Sequence, residues 1–192
     1  VSPNGVDLRA FDPEIGKDQA RRKVGLPEQG KYVLYSGRFS QWKGVQTLLQ
    51  SAQYVGDGVH TLFVGGFEGE MDVLQASIDH LGVQDRVTIL GHKPHAQIPL
   101  YLQAADALVV PTSASSEQGQ NYTSPLKIFE YMAARRPIVA SDLPSMREIV
   151  DGSVATLVLP DDPRRLADGL AYVLAGGTKI ERQVANAYEK AK

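Results

Sequence analysis

No cysteine occurs in the 192 residues, so neither a disulfide scaffold nor a thiol nucleophile is available, and a reducing, cytoplasmic setting is expected. An excess of either charge is also missing, with 20 Lys and Arg against 22 Asp and Glu. There is no basic run and no clustering of aromatics with cations, which argues against a nucleic-acid partner. Apolar runs reach strand length only; none is long enough to span a bilayer, and none has the form of a signal peptide. His60 and His80 lack ligand-like companions, so no metal site is expected. What is present is a chain long enough for one domain with a substantial core. Its opening, VSPNGVD, starts on Val and reads as the interior of a longer protein.

Residues 1–30 form a loop-rich entry segment punctuated by Pro3, Asn4-Gly5, Pro13 and Pro27, with a short helix at 17–24. A core then runs over 31–175, and 176–192 supply a terminal helix. The continuous apolar run KYVLYSG at 31–37, between Gly30 and the close of the run at Gly37, reads as a buried strand. After RFSQWKG, residues Val45, Leu48, Leu49, Ala52 and Val55 recur at helical spacing. The unit repeats, with strands at 60–64, 86–90, 107–110, 137–140 and 154–159. Helices are expected at 71–81, 95–105, from Pro125 onward, and at 145–150, 163–174 and 180–190. Continuously apolar strands alternating with helices predict a doubly wound, Rossmann-like parallel sheet of about six strands, covered on both faces. In such sheets ligands bind at the carboxyl ends of the strands. Gly37-Arg38, Gly65-Gly66, Gly91-His92 and the polar loop 113–124 all fall there, which points to a nucleotide-sized cleft.

The stretch 113–142 carries the sharpest chemistry. Pro125 sits where a first helical turn tolerates proline, with Thr123 or Ser124 as N-cap. The unpaired amides of that turn and its positive dipole end suit an anion, phosphate above all, and Lys127 adds a full charge. Glu130 repels phosphate, but its acceptor oxygens suit neutral hydroxyls such as those of a ribose. Ile128, Phe129, Met132 and Ala133 fall on the opposite, buried face. Arg38 and Lys43 flank the first strand-to-helix turn and would reach the same anion across the rim. The bland alternative is a core-packed helix with solvated charges and two ordinary surface cations.

The ordered set SGRFSQWKG, FVGG, VTILGHKPHAQIPLYLQAADALVVPT and PLKIFEYMAARRPIVASDLPSMREIVDG, after an opening NGVD, resembles the C-terminal domain of glycosyltransferase family 4. The resemblance spans nearly the whole chain. It implies one half of a retaining, two-domain GT-B enzyme, holding a UDP- or GDP-sugar donor, while a separate N-terminal domain, absent from this chain, binds the acceptor. On this resemblance Arg38 and Lys43 are the basic pair that holds the diphosphate and stabilises it as leaving group. The backbone at Thr123, Ser124, Pro125 and Leu126 meets the phosphate, Glu130 takes the ribose hydroxyls, and the loop of Gly91, His92, Lys93 and Pro94 contacts the base. His92 and His95 are then solvated or near that base. No metal or other cofactor is implied, and any peripheral membrane association would come through the absent half.

One position departs from the family pattern. Tyr122, in the turn NYTS, stands where the family carries a second glutamate that contacts the transferred sugar. Glu117 replaces it only if the loop folds back. A subset of the family has a similar SPLKxFEYMA form, so activity is still expected. The alternatives are a nucleotide-sugar binding module without transfer, or another GT-B enzyme such as a sugar epimerase.

Overall fold

The structure, a computed structural model, describes residues 6–11, 15–115 and 126–192. Six strands form one sheet: β1 (Lys31–Gly37), β2 (Val59–Gly65), β3 (Val87–Gly91), β4 (Ala107–Val110), β5 (Ile138–Ser141) and β6 (Thr156–Val158). Their order is β3-β2-β1-β4-β5-β6, and every neighbouring pair is parallel. The chain builds outward from β1 to β3, then returns to place β4 on the other side of β1. The order reverses between β1 and β4, which is where a crevice opens in such sheets.

The helices are α1 (Lys17–Val24), α2 (Val45–Ser51), α3 (Glu68–Leu81), α4 (Ile98–Ala104), α5 (Leu126–Ala133), α6 (Pro144–Arg147), α7 (Pro163–Ala175) and α8 (Thr178–Ala191). Successive strand residues point to opposite faces, and each face is apolar. Tyr32, Leu34, Leu62, Leu108 and Ala140 pack one way with Leu102, Ile128, Tyr131 and Met132 from α4 and α5. Val33, Tyr35, Phe63, Val109 and Val139 pack the other way with Leu48, Leu74, Ile78 and Leu170 from α2, α3 and α7. Each buried Val, Leu, Ile, Phe or Met side chain among them contributes about 1.5–3 kcal/mol.

The doubly wound parallel sheet expected from the sequence is therefore present, with shifts at element ends. Helix α3 begins at Glu68, ahead of the apolar periodicity that starts at Met71. The expected helix at 95–105 is a 3-10 turn, His95–Gln97, followed by α4 with Pro99 in its first turn. The last strand is shorter than 154–159, because the Val154 and Ala155 amides donate to the Asp151 carbonyl at 3.0 Å and close a turn first. On α5 Tyr131 is fully buried, whereas Phe129, expected in the core, is only partly so.

Helix α1 is fastened to the amino-terminal edge of the sheet by a buried cation. Arg21, 2% exposed, donates from Nε to the Ala104 carbonyl at 3.1 Å and from Nη2 to Asp106 at 2.5 Å. Asp106 also accepts from the Tyr32 amide at 2.7 Å and from Lys17 at 2.5 Å, so one carboxylate joins α1, β1 and β4.

Candidate functional site

At the carboxyl ends of β1, β2 and β3 a cleft of about 420 Å³ opens against the first turn of α5. Its size suits a small-molecule ligand. The end of β1 is fixed from below: the Ser36 amide donates to the buried Tyr131 hydroxyl at 2.9 Å, and the Tyr35 hydroxyl donates to the Arg38 carbonyl at 2.6 Å. The β1 and β2 turns are tied together, since the Gly66 amide donates to the Gly37 carbonyl at 2.9 Å. Gly37 has φ 134°, and a Cβ there would lie 2.4 Å from Lys127 Nζ. A side chain there would displace that ammonium from the end of β1, on a backbone conformation that favours glycine.

Lys127 rises from α5, with Nζ 4.0 Å from the centroid of the Tyr35 ring. Burial, and secondarily the charge of Lys43, pull its pKa down to about 7, while Glu130 acts in the opposite direction. Glu130, one turn further along α5, has its pKa raised, chiefly by burial, with His95 and Lys127 opposing. The cleft thus sets a desolvated cation and a desolvated carboxyl on one helix face, the first suited to phosphate and the second to hydroxyl donors.

Arg38 also lines the cleft and is firmly held. Its Nε donates to Glu70 Oε1 at 3.0 Å and its Nη2 reaches the same oxygen at 2.9 Å. Its Cζ stands 4.1 Å from the centroid of the exposed Phe67 ring. The Glu70 carboxylate also accepts from the Phe39 and Phe67 amides, each at 3.1 Å. Hydrogen bonding from Arg38 is the main cause that holds Glu70 below the ordinary carboxyl pKa.

Of the residues proposed from the sequence, Gly37, Arg38, Gly65, His92, Lys93 and Glu130 line the cleft together. Gly91 closes β3 immediately before them, with φ 72°. Lys43 is not among the lining residues. Its Nζ packs 3.8 Å from the centroid of the Trp42 ring, and burial lowers its pKa. It acts on the cleft as a neighbouring charge, felt at Lys127, and Lys127 rather than Lys43 is the lysine that lines the cleft with Arg38. The expectations for Glu117, Tyr122, Thr123, Ser124 and Pro125, and for the Leu126 side chain, lie outside the described residues.

Glu70 and Phe67 are absent from the sequence-based set. The signal for Glu70 is its spacing: a glutamate three residues after the N-cap of α3 reaches back to the cap amide. Placing the start of that helix at Met71 leaves Glu70 in the loop and hides that signal. The turn holding Lys43 is set by Gly44, whose φ is 70° and whose Cβ would lie 1.7 Å from the Pro111 carbonyl oxygen. The Ser113 amide donates to the Trp42 carbonyl at 3.0 Å, so this turn is joined to the loop that leaves β4.

Residues 16–190 match the family model described as "Glycosyl transferases group 1". The chain is 34% identical to the phosphatidyl-myo-inositol mannosyltransferase of Mycobacterium tuberculosis, over 95% of this chain and 47% of that protein. It is 30% identical to the D-inositol 3-phosphate glycosyltransferase of Xylanimonas cellulosilytica, over 97% of this chain and 45% of that protein. Among solved structures it resembles Anabaena HepE in complex with UDP and glucose, with a TM-score of 0.83 and 25% identity, covering 97% of this chain and 50% of that one. The chain spans about half the length of the curated relatives it matches.

Proposed function

Because the chain belongs to the Glycosyl transferases group 1 family, we propose that it is the C-terminal, donor-holding half of a retaining GT-B glycosyltransferase of family 4. One observation carries this reading: Arg38, Lys127 and Glu130 line a single cleft at the strand ends, with the charge of Lys43 close enough to act on Lys127. A nucleoside diphosphate matches that pattern of charge. The cations and the backbone amides of Thr123, Ser124 and Leu126 take the diphosphate, Glu130 takes the ribose hydroxyls, and the loop of Gly91, His92 and Lys93 borders the base. UDP is favoured by the likeness to the HepE complex; GDP fits the same charges.

In the proposed transfer the bond from the anomeric carbon to the leaving phosphate oxygen breaks, and the sugar acquires oxocarbenium character. Negative charge grows on the departing diphosphate and is met by Arg38, Lys43 and Lys127, fixed in place before reaction. Preorganised groups of this kind are each worth about 10²–10³ in rate. The acceptor hydroxyl attacks on the face the leaving group occupied and passes its proton to the departing phosphate oxygen, which retains configuration. The reaction as proposed uses no metal or other cofactor. Acceptor binding, any peripheral membrane contact and turnover are assigned to a longer, cytoplasmic protein of which this chain is one half.

Calorimetric titration of UDP, GDP and their nucleosides tests the reading. One diphosphate should bind more tightly than its nucleoside, and Lys43→Ala should weaken the diphosphate by about tenfold with little effect on the nucleoside. Equal loss for both would remove Lys43 from the phosphate site, and no binding of either diphosphate would remove the donor reading itself.

A further inference from the structure

Glu70 binds nothing in the proposed donor, yet it organises the wall that would. One carboxylate accepts from the amides of Phe39, after β1, and Phe67, after β2, and from Arg38 Nε, with Arg38 Nη2 in ion-pair contact at 2.9 Å. The guanidinium is engaged along its side edge, Nε and Nη2, and its face lies on the Phe67 ring. Nη1 has no hydrogen-bond partner among the described residues. An arginine as exposed as this one, at 58% of its side chain, would otherwise sample many rotamers. A planar fork held in advance loses less freedom when an oxyanion arrives.

We propose that Glu70 is a positioning residue for phosphate recognition: it grips Arg38 by one edge of the guanidinium and leaves the other edge presented to the diphosphate in the cleft. The inference rests on the donor reading above and adds a residue to it. Two rival roles exist for the same carboxylate. As a mere clip between two loops, it would support the whole cleft, base end included. As a competitor for Arg38, it would have to be displaced before phosphate could bind.

The test is a double-mutant cycle on the 192-residue chain, read as affinity for UDP or GDP, whichever wild type binds, and for the matching nucleoside. Glu70→Gln should weaken the diphosphate by about tenfold and leave the nucleoside unchanged. In an Arg38→Ala background it should cost nothing further. Equal loss for nucleoside and diphosphate, full additivity with Arg38→Ala, or tighter diphosphate binding would each overturn the proposal. If Glu70→Gln does not melt cooperatively, Glu70→Asp carries the test, because it keeps the charge at the helix start but withdraws it by one methylene. The same pattern is expected, and its absence overturns the proposal. A wild-type chain that binds neither diphosphate brings down the donor reading and this inference together, a result distinct from a wild type that binds and a Glu70 variant that binds equally well.

Discussion

At Lys127 an ammonium whose ordinary pKa is 10.5 is held near 7 by burial and by the charge of Lys43. Close to neutrality the free chain carries this lysine partly deprotonated. A bound diphosphate favours the charged form, so binding takes up a proton. Affinity should therefore fall as pH rises above about 7, and heats of binding at pH 8 should depend on the ionisation enthalpy of the buffer. The diphosphate's own last proton leaves near pH 6, below that window. Lys127→Arg, always charged, should flatten the profile. Lys127→Met should weaken the diphosphate by about tenfold or more, yet raise the stability of the free chain near pH 7 by about 1 kcal/mol, since it relieves a desolvated charge. The sign follows from linkage: the folded chain binds fewer protons than the unfolded one between pH 7 and 10.5, so wild-type stability rises with pH there, and the Met variant should lose that rise. The sequence shows Lys127 as a first-turn cation. It does not show the ring of Tyr35 beneath the ammonium or the bare backbone of Gly37 beside it, because both come from a strand distant in the chain.

Among the elements, strands were the most legible, because residues buried on both faces must be continuously apolar, and KYVLYSG and ALVV have few other readings. Helix starts were less so. The first turn of α3, with Glu68 and Glu70, is polar and falls outside the apolar periodicity, although that turn carries the residue that holds Arg38. The turn between β1 and α2 is a further case: its glycine is visible in the sequence, but the neighbour that demands it is not. Gly44 adopts φ 70° against the Pro111 carbonyl, where a side chain meets both backbone strain and direct overlap. Gly44→Ala should lower stability by about 2 kcal/mol or more by chemical denaturation. Because the turn also seats Lys43 and bonds to Ser113, diphosphate affinity should fall with it. A variant that loses stability yet binds normally would separate this turn from the site.

For the whole molecule, the informative feature is that a wall of the cleft is made by three strand ends and the starts of α4 and α5, all at the same sheet rim. Such a wall can hold a donor, but group transfer also demands an acceptor aligned with the anomeric carbon and water kept out. Alignment of that kind is worth an effective concentration of about 10⁵ M or more. The chain covers 45% and 47% of the two curated relatives named above, so in the proposed function the second wall belongs to sequence outside the 192 residues. The chain alone should therefore bind a nucleoside diphosphate with one-to-one stoichiometry, and release little or none from a nucleotide sugar even with sugar or lipid acceptors present. Nucleotide release measured by coupled assay on this chain and on a longer protein containing it checks the expectation. Rapid, acceptor-dependent release by the chain alone would mean that its own residues complete the site, and the division into donor and acceptor halves would have to be abandoned.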